Sequence, residues 1–194
     1  MSADSISIAI TGSGGSGAVT TGLILLQAMA RTGYYGYLSR SAGPQIRGGE
    51  SAVMMRFAGR PVNCLDDRFD LLLALDWNRF ERFADEIPLD DHSLVLGDTA
   101  AGDIPPIVGS SGARCELFDF SQAAKAISGG RANMFGLGLL SGLLGLQRDA
   151  LHGALESVLA KKGEQVIMTS MQCIEQGMDM PLDLAQGIEL DLEH

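Results

Sequence analysis

Gly12, Gly14 and Gly17 stand in G-x-G-x-x-G spacing within "ITGSGGSGAVTTG", with Ser13, Gly15 and Ser16 filling the positions between them. Isoleucines precede the loop (Ile6, Ile8, Ile10), and good helix formers follow it in "AVTTGLILLQAMAR". A strand, a glycine turn and a helix in that order aim backbone N–H groups and the positive end of a helix dipole at one point, which suits an anion. The same glycines also serve a plain strand-to-helix turn, so spacing alone leaves both uses open. A second glycine stretch, "SAGPQIRGGE", carries Arg47, Gly48, Gly49 and Glu50 in succession. Arg47 offers a forked guanidinium for a phosphate or a carboxylate. Glu50 offers a base, but no second carboxylate stands beside it to complete an acid–base pair.

Other chemistries fit less well. A dinucleotide-binding domain calls for an acid at the end of the second strand to hold a ribose hydroxyl, and Ser39 and Arg40 stand there instead. An NAD(P) site is therefore the weaker alternative for the first loop. A P-loop requires Gly-Lys-Ser/Thr, which does not occur. His92 and His152 are isolated, and Asp66–Asp67 reads as a solvated turn. Cys64, Cys115 and Cys173 are odd in number and far apart, so their spacing gives neither a disulfide framework nor a metal or iron–sulfur site.

These residues need a scaffold, and hydrophobic periodicity supplies one. Strand one is expected at 6–11, helix one at 18–32, strand two at 34–40 and strand three at 51–57. The connection at 41–50 is too short for a helical crossover, which predicts that strands two and three run antiparallel. Strands one and two, joined by helix one, are expected to be parallel neighbours, placing both glycine loops on one sheet edge. "FDLLLALD" (69–76) reads as a strand buried on both faces, and "SLVLGD" (93–98) and "ELFDF" (116–120) as two more. "WNRFERFADEI" (77–87) has the stripe of an amphipathic helix, and a short helix is expected after an N-cap at Ser121. The stretch between 100 and 113 reads as loop. From Asn133 onward the pattern is helical, with helices near 149–162 and 164–176, the last stopping at Gly177. Gly138, Gly142 and Gly145 share a face of the first of these, where a neighbouring backbone can approach. The expected fold class is α/β: a single three-layer α/β/α Rossmann-like domain with a mixed, mainly parallel sheet and a helical C-terminal third.

At 194 residues the chain suits one such domain. Apolar residues make up 46%, with 25 glycines and a mean hydropathy of +0.15, which calls for a large core or an apolar face for a partner. A net charge of −10 argues against nucleic acid or an anionic membrane as partner. The most apolar stretch, 134–146, is too short to span a bilayer. No signal-peptide pattern opens the sequence, and the expected compartment is the cytoplasm. Residues 192–194 ("LEH") read as part of a tag, and 179–191 as a linker leading onward.

The first strand with "GSGGSGAVTTG", then "GPQIRGGE" (43–50), then "FDLLLALD" and "NMFGLGLLSGLLGL" together resemble the γ domain of 2-oxoacid:ferredoxin oxidoreductases, the pyruvate and 2-oxoglutarate synthases. The resemblance covers about residues 6–178, with 1–178 expected as the γ-type domain. It is strongest to enzymes of the 2-oxoglutarate type whose γ domain is fused ahead of the α domain. It implies an enzyme that oxidises a 2-oxoacid with coenzyme A to an acyl-CoA and carbon dioxide, passing electrons through iron–sulfur clusters to ferredoxin. Thiamine diphosphate carries the carbanion chemistry in that family. Its binding motif is not in this sequence, since "GDTA" at 97 lacks the second glycine and no Asn–Asn pair occurs. The implied partners are therefore the α domain and β subunit, and the domain by itself is expected to hold no cofactor and to be inactive. The candidate site comprises Gly12, Ser13, Gly14, Gly15, Ser16, Gly17, Arg47, Gly48 and Gly49, bordering the path of coenzyme A. A pure interaction module is the alternative, in which Arg47 pairs with a carboxylate across an interface.

Overall fold

The computed structural model describes residues 2–43, 49–181 and 189–190. Arg47 and Gly48 lie outside the described residues. Six strands form one sheet: β1 (Ser5–Ser13), β2 (Tyr35–Ala42), β3 (Glu50–Ala58), β4 (Leu71–Ala74), β5 (Leu94–Asp98) and β6 (Arg114–Phe118). Their spatial order is β2-β3-β1-β4-β5-β6. β1, β4, β5 and β6 are mutually parallel, while β3 runs antiparallel to both β1 and β2. A separate two-residue parallel pairing joins Ser2–Ala3 to Glu189–Leu190.

The antiparallel turn between β2 and β3 agrees with the shortness of the 41–50 connection. One expectation needs correction: β1 and β2 are parallel but not neighbours, because β3 lies between them. The hairpin folds back into the gap that helix α1 (Ala18–Arg31) opens by carrying the chain past it. β3 thereby starts beside the end of β1, with Ser13 opposite Glu50.

The alternation of the strands separates two cores. Ile6, Ile8, Ile10, Leu71, Leu73 and Leu96 face α1 and three long C-terminal helices: α4 (Ala132–Leu143), α5 (Arg148–Leu159) and α6 (Glu164–Met178). Ala9, Ala52, Met54, Leu72 and Val95 face the other way, onto Trp77, Phe80, Phe83, Ile87 and Val108. The second layer differs from expectation in how it is built. Residues 77–87 form no α-helix but turns around one 3-10 segment, Phe80–Phe83. Asp76 accepts the Asn78 N–H at 3.0 Å, and Arg79 takes a left-handed backbone (φ 56°), which breaks helical progression at its start. The predicted apolar stripe is buried all the same. The stretch expected as loop holds one helical turn, α2 (Pro106–Gly109).

Two further boundaries shift. The short helix α3 (Phe120–Lys125) is capped by Asp119, whose carboxylate accepts the Gln122 N–H at 2.7 Å, so Ser121 lies inside it. Gly177 does not end α6 but sits within it, its Cα against the backbone of α4 at Phe135 and Gly138. Gly145 lies past the end of α4 with φ 62° and takes no part in that contact.

Candidate functional site

The loop between β1 and α1 divides into two halves. In the first, Ser13 donates both its N–H and its hydroxyl to Asp76 Oδ2, each at 2.7 Å. Gly14 N–H donates to the Gly49 carbonyl at 2.6 Å, tying the two glycine stretches together on one sheet edge. Gly12 lies one residue before the end of β1, and its missing side chain leaves the space that the Ser16 hydroxyl occupies. These groups are spent on the protein itself.

The second half turns outward. Gly15 and Gly17 have φ of 101° and 94°, and Gly17 also packs so closely on Asn133 that a Cβ there would collide. Gly15, Ser16, Gly17 and Thr20 form one wall of a pocket of about 500 Å³. Arg131, Ala132, Asn133 and Met134 at the start of α4 form the next wall, and Leu159, Lys162, Val166 and Ser170 close it. The N-termini of α1 and α4 therefore open on the same space, each bringing unsatisfied N–H groups and a positive dipole end.

Charge and polarity match that geometry. Neither α1 nor α4 has an acidic residue in its first turn, whereas α5 and α6 carry Asp149 and Glu164 in theirs. Arg131 and Lys162, both exposed, are the charged side chains of the pocket wall. The Ser16 hydroxyl is buried without a hydrogen-bond partner among the described residues. Ser170, only 4% exposed, also lines the pocket, and its hydroxyl has no hydrogen bond among the described residues. The Ser170 hydroxyl is open to an entering acceptor, while that of Ser16 is tucked against Gly12. The arrangement has the chemistry that suits an anion. Arg131 and Ser170 carry no motif, and Asn133 and Lys162 stand in stretches read only for their resemblance, so the convergence with the glycine loop in three dimensions is what marks all four.

Glu50 lies outside this pocket. It is 1% exposed, with Arg82 Nη1 at 2.8 Å and Arg79 Nη1 at 3.8 Å, contacts that pair the charges without hydrogen-bond alignment. It ties β3 to the 79–83 turn rather than serving as a base. Among the described residues, no group of three or more His, Cys, Asp or Glu side chains is placed to hold a metal ion. No helix of the described residues is long and apolar enough to cross a membrane.

A Rossmann-like mixed sheet with a pocket at its first strand–helix turn defines the class of the domain. Residues 7–180 match the model of the pyruvate ferredoxin/flavodoxin oxidoreductase family, and the chain belongs to that family. It is 27% identical over 187 residues to ketoisovalerate oxidoreductase subunit VorA of Methanothermobacter thermautotrophicus, a match covering 94% of this chain and 38% of that subunit. Among solved structures it is similar to 2-oxoglutarate:ferredoxin oxidoreductase from Magnetococcus marinus with 2-oxoglutarate, coenzyme A and succinyl-CoA bound. That likeness has a TM-score of 0.80 at 25% identity and covers 97% of this chain and 33% of the other. The gamma subunit of a keto/oxoacid ferredoxin oxidoreductase from Geobacter sulfurreducens aligns with a TM-score of 0.71 at 25% identity, covering 91% of this chain and 96% of that one. The chain thus spans well under half the length of VorA and of the Magnetococcus chain, and nearly all of the Geobacter gamma subunit.

Proposed function

We propose that this chain is the γ-type domain of a 2-oxoacid:ferredoxin oxidoreductase, and that its pocket holds an anionic part of coenzyme A beside an active site built with partner domains. The observation that carries this reading is the convergence of two acid-free helix N-termini with Arg131 and Lys162 around one cavity. A phosphate group suits that cradle, since backbone N–H groups and a guanidinium both favour a multiply charged acceptor. The similarity to a Magnetococcus enzyme with coenzyme A bound supports the choice of ligand, and favours 2-oxoglutarate as the acid. Gly15, Ser16 and Gly17 supply the loop side of the cradle, while Gly12, Ser13, Gly14 and Gly49 hold its shape. Arg47 and Gly48 join the proposed site on the resemblance of "GPQIRGGE" alone. Thiamine diphosphate and the iron–sulfur clusters belong to the α and β partners, which pass electrons to ferredoxin, and this domain contributes binding and assembly. The compartment proposed is the cytoplasm.

Arg131→Ala and Lys162→Ala in the assembled enzyme test the assignment. Each is expected to weaken the apparent affinity for coenzyme A by about 1–3 kcal/mol, the usual worth of a hydrogen bond to a charged group, with the complex intact by size. Unchanged dependence on coenzyme A would reject the ligand role. Loss of assembly would favour the interaction module.

A further inference from the structure

Asn133 is the residue that the two helix N-termini of the pocket share. It stands in the first turn of α4, is 6% exposed, and donates its Nδ2–H to Thr21 Oγ1 of α1 at 3.0 Å. Its side chain also packs on Gly17, the N-cap of α1. The bridge crosses 112 residues of sequence and fixes the two helix ends in one frame.

The chemical identity of the bridge is the informative part. Two helix dipoles end here, and an acid near a helix N-terminus is stabilising. The chain has 24 acidic residues and uses them at the N-termini of α5 and α6. Aspartate has nearly the shape of asparagine, and the Thr21 hydroxyl donates to a carboxylate as readily as it accepts from an amide. Packing and hydrogen bonding therefore give no reason to prefer the amide, and the two helix dipoles offset part of the cost of burying a carboxylate. A ligand does, because a carboxylate here would occupy the positive potential with the protein's own charge.

We propose that Asn133 is the specificity-determining residue of the pocket. Its neutral amide aligns the two helix ends and leaves their potential to an entering anion of the phosphate class. The proposal rests on the anion-pocket reading given above.

The test is an amide-shift titration of the isotope-labelled chain with inorganic phosphate and, separately, with coenzyme A, following Gly15 and Gly17. Asn133→Asp is expected to melt at or above the wild-type temperature and to bind both probes at least tenfold more weakly. Asn133→Ser, neutral but too short to reach Thr21 as the amide does, is expected to bind both probes more tightly than the aspartate variant, and equal weakness of the two overturns the charge argument. Equal affinity of the aspartate variant and wild type overturns the inference and leaves the pocket reading standing. Failure of the aspartate variant to fold contradicts the dipole argument and overturns it too. A wild-type chain whose Gly15 and Gly17 amides respond to neither probe overturns the pocket reading itself, and the inference with it. Tighter binding of coenzyme A than of phosphate supports the cofactor as source of the anion, and equal affinities overturn that source.

Discussion

The three cysteines sit in three different media, and their reactivity should follow. Cys64 is exposed, 3.8 Å from an Arg56 guanidinium nitrogen. Burial pushes the Cys115 thiol up from the ordinary range, with Glu116 adding to the shift, and burial does the same at Cys173. A raised thiol pKa keeps sulfur protonated at pH 8, and the protonated form is a poor nucleophile. Iodoacetamide at pH 8 is therefore expected to label Cys64 first, Cys115 more slowly, and Cys173 only on unfolding, as read by mass spectrometry of tryptic peptides. Early labelling of Cys173 would contradict its burial. Among the glycine-loop residues the sequence located the turn and its polarity, but it did not divide the loop into its inward and outward halves. That division depends on Asp76, 63 residues from Ser13, and on Asn133, and neither contact leaves a trace in local spacing.

At the level of elements, α4 and α6 pack backbone to backbone. A Cβ on Gly138 would collide with the Ile174 carbonyl and Gly177 Cα, and one on Gly177 with the Phe135 carbonyl. A Cβ on Gly142 would stand 3.1 Å from the Met178 carbonyl, tight but with less to displace. Gly138→Ala is expected to lower unfolding free energy by about 1–3 kcal/mol, the range for forcing atoms into a packed core, and Gly142→Ala by less. Urea midpoints at unchanged slope measure both, and the reverse order would refute the packing account. The glycine face was legible because a four-residue step survives in the sequence. The 77–87 segment shows the opposite case. Its stripe of Trp77, Phe80, Phe83, Ala84 and Ile87 marks what is buried except for the half-buried Ala84, yet periodicity does not report the left-handed Arg79 that breaks the helix.

For the molecule as a whole, the two faces of the sheet are covered unequally. One carries four long helices, and the other carries turns, 3-10 segments and one helical turn. Local opening is easiest where few backbone hydrogen bonds hold a segment. Hydrogen exchange followed by mass spectrometry is expected to show 71–74 and 94–97 protected longest and 77–89 exchanging well ahead of α1. Equal protection of 77–89 and α1 would count against this. The sheet order has its own consequence. In open α/β sheets, ligands favour the crevice where connections leave in opposite directions, outside the carboxyl ends of the strands. Here that crevice lies between β1 and β4, and Asp76 fills it by accepting the Ser13 N–H and hydroxyl and the Asn78 N–H. Along the same rim Asp98 accepts the N–H groups of Ala100 and Phe120, and Glu50 stands buried at the start of β3. A pyrophosphate laid across this edge would meet a palisade of carboxylates already committed to the protein. The rim that serves as a doorway in dinucleotide enzymes is bolted from within, and the open pocket lies to the side, between α1 and α4.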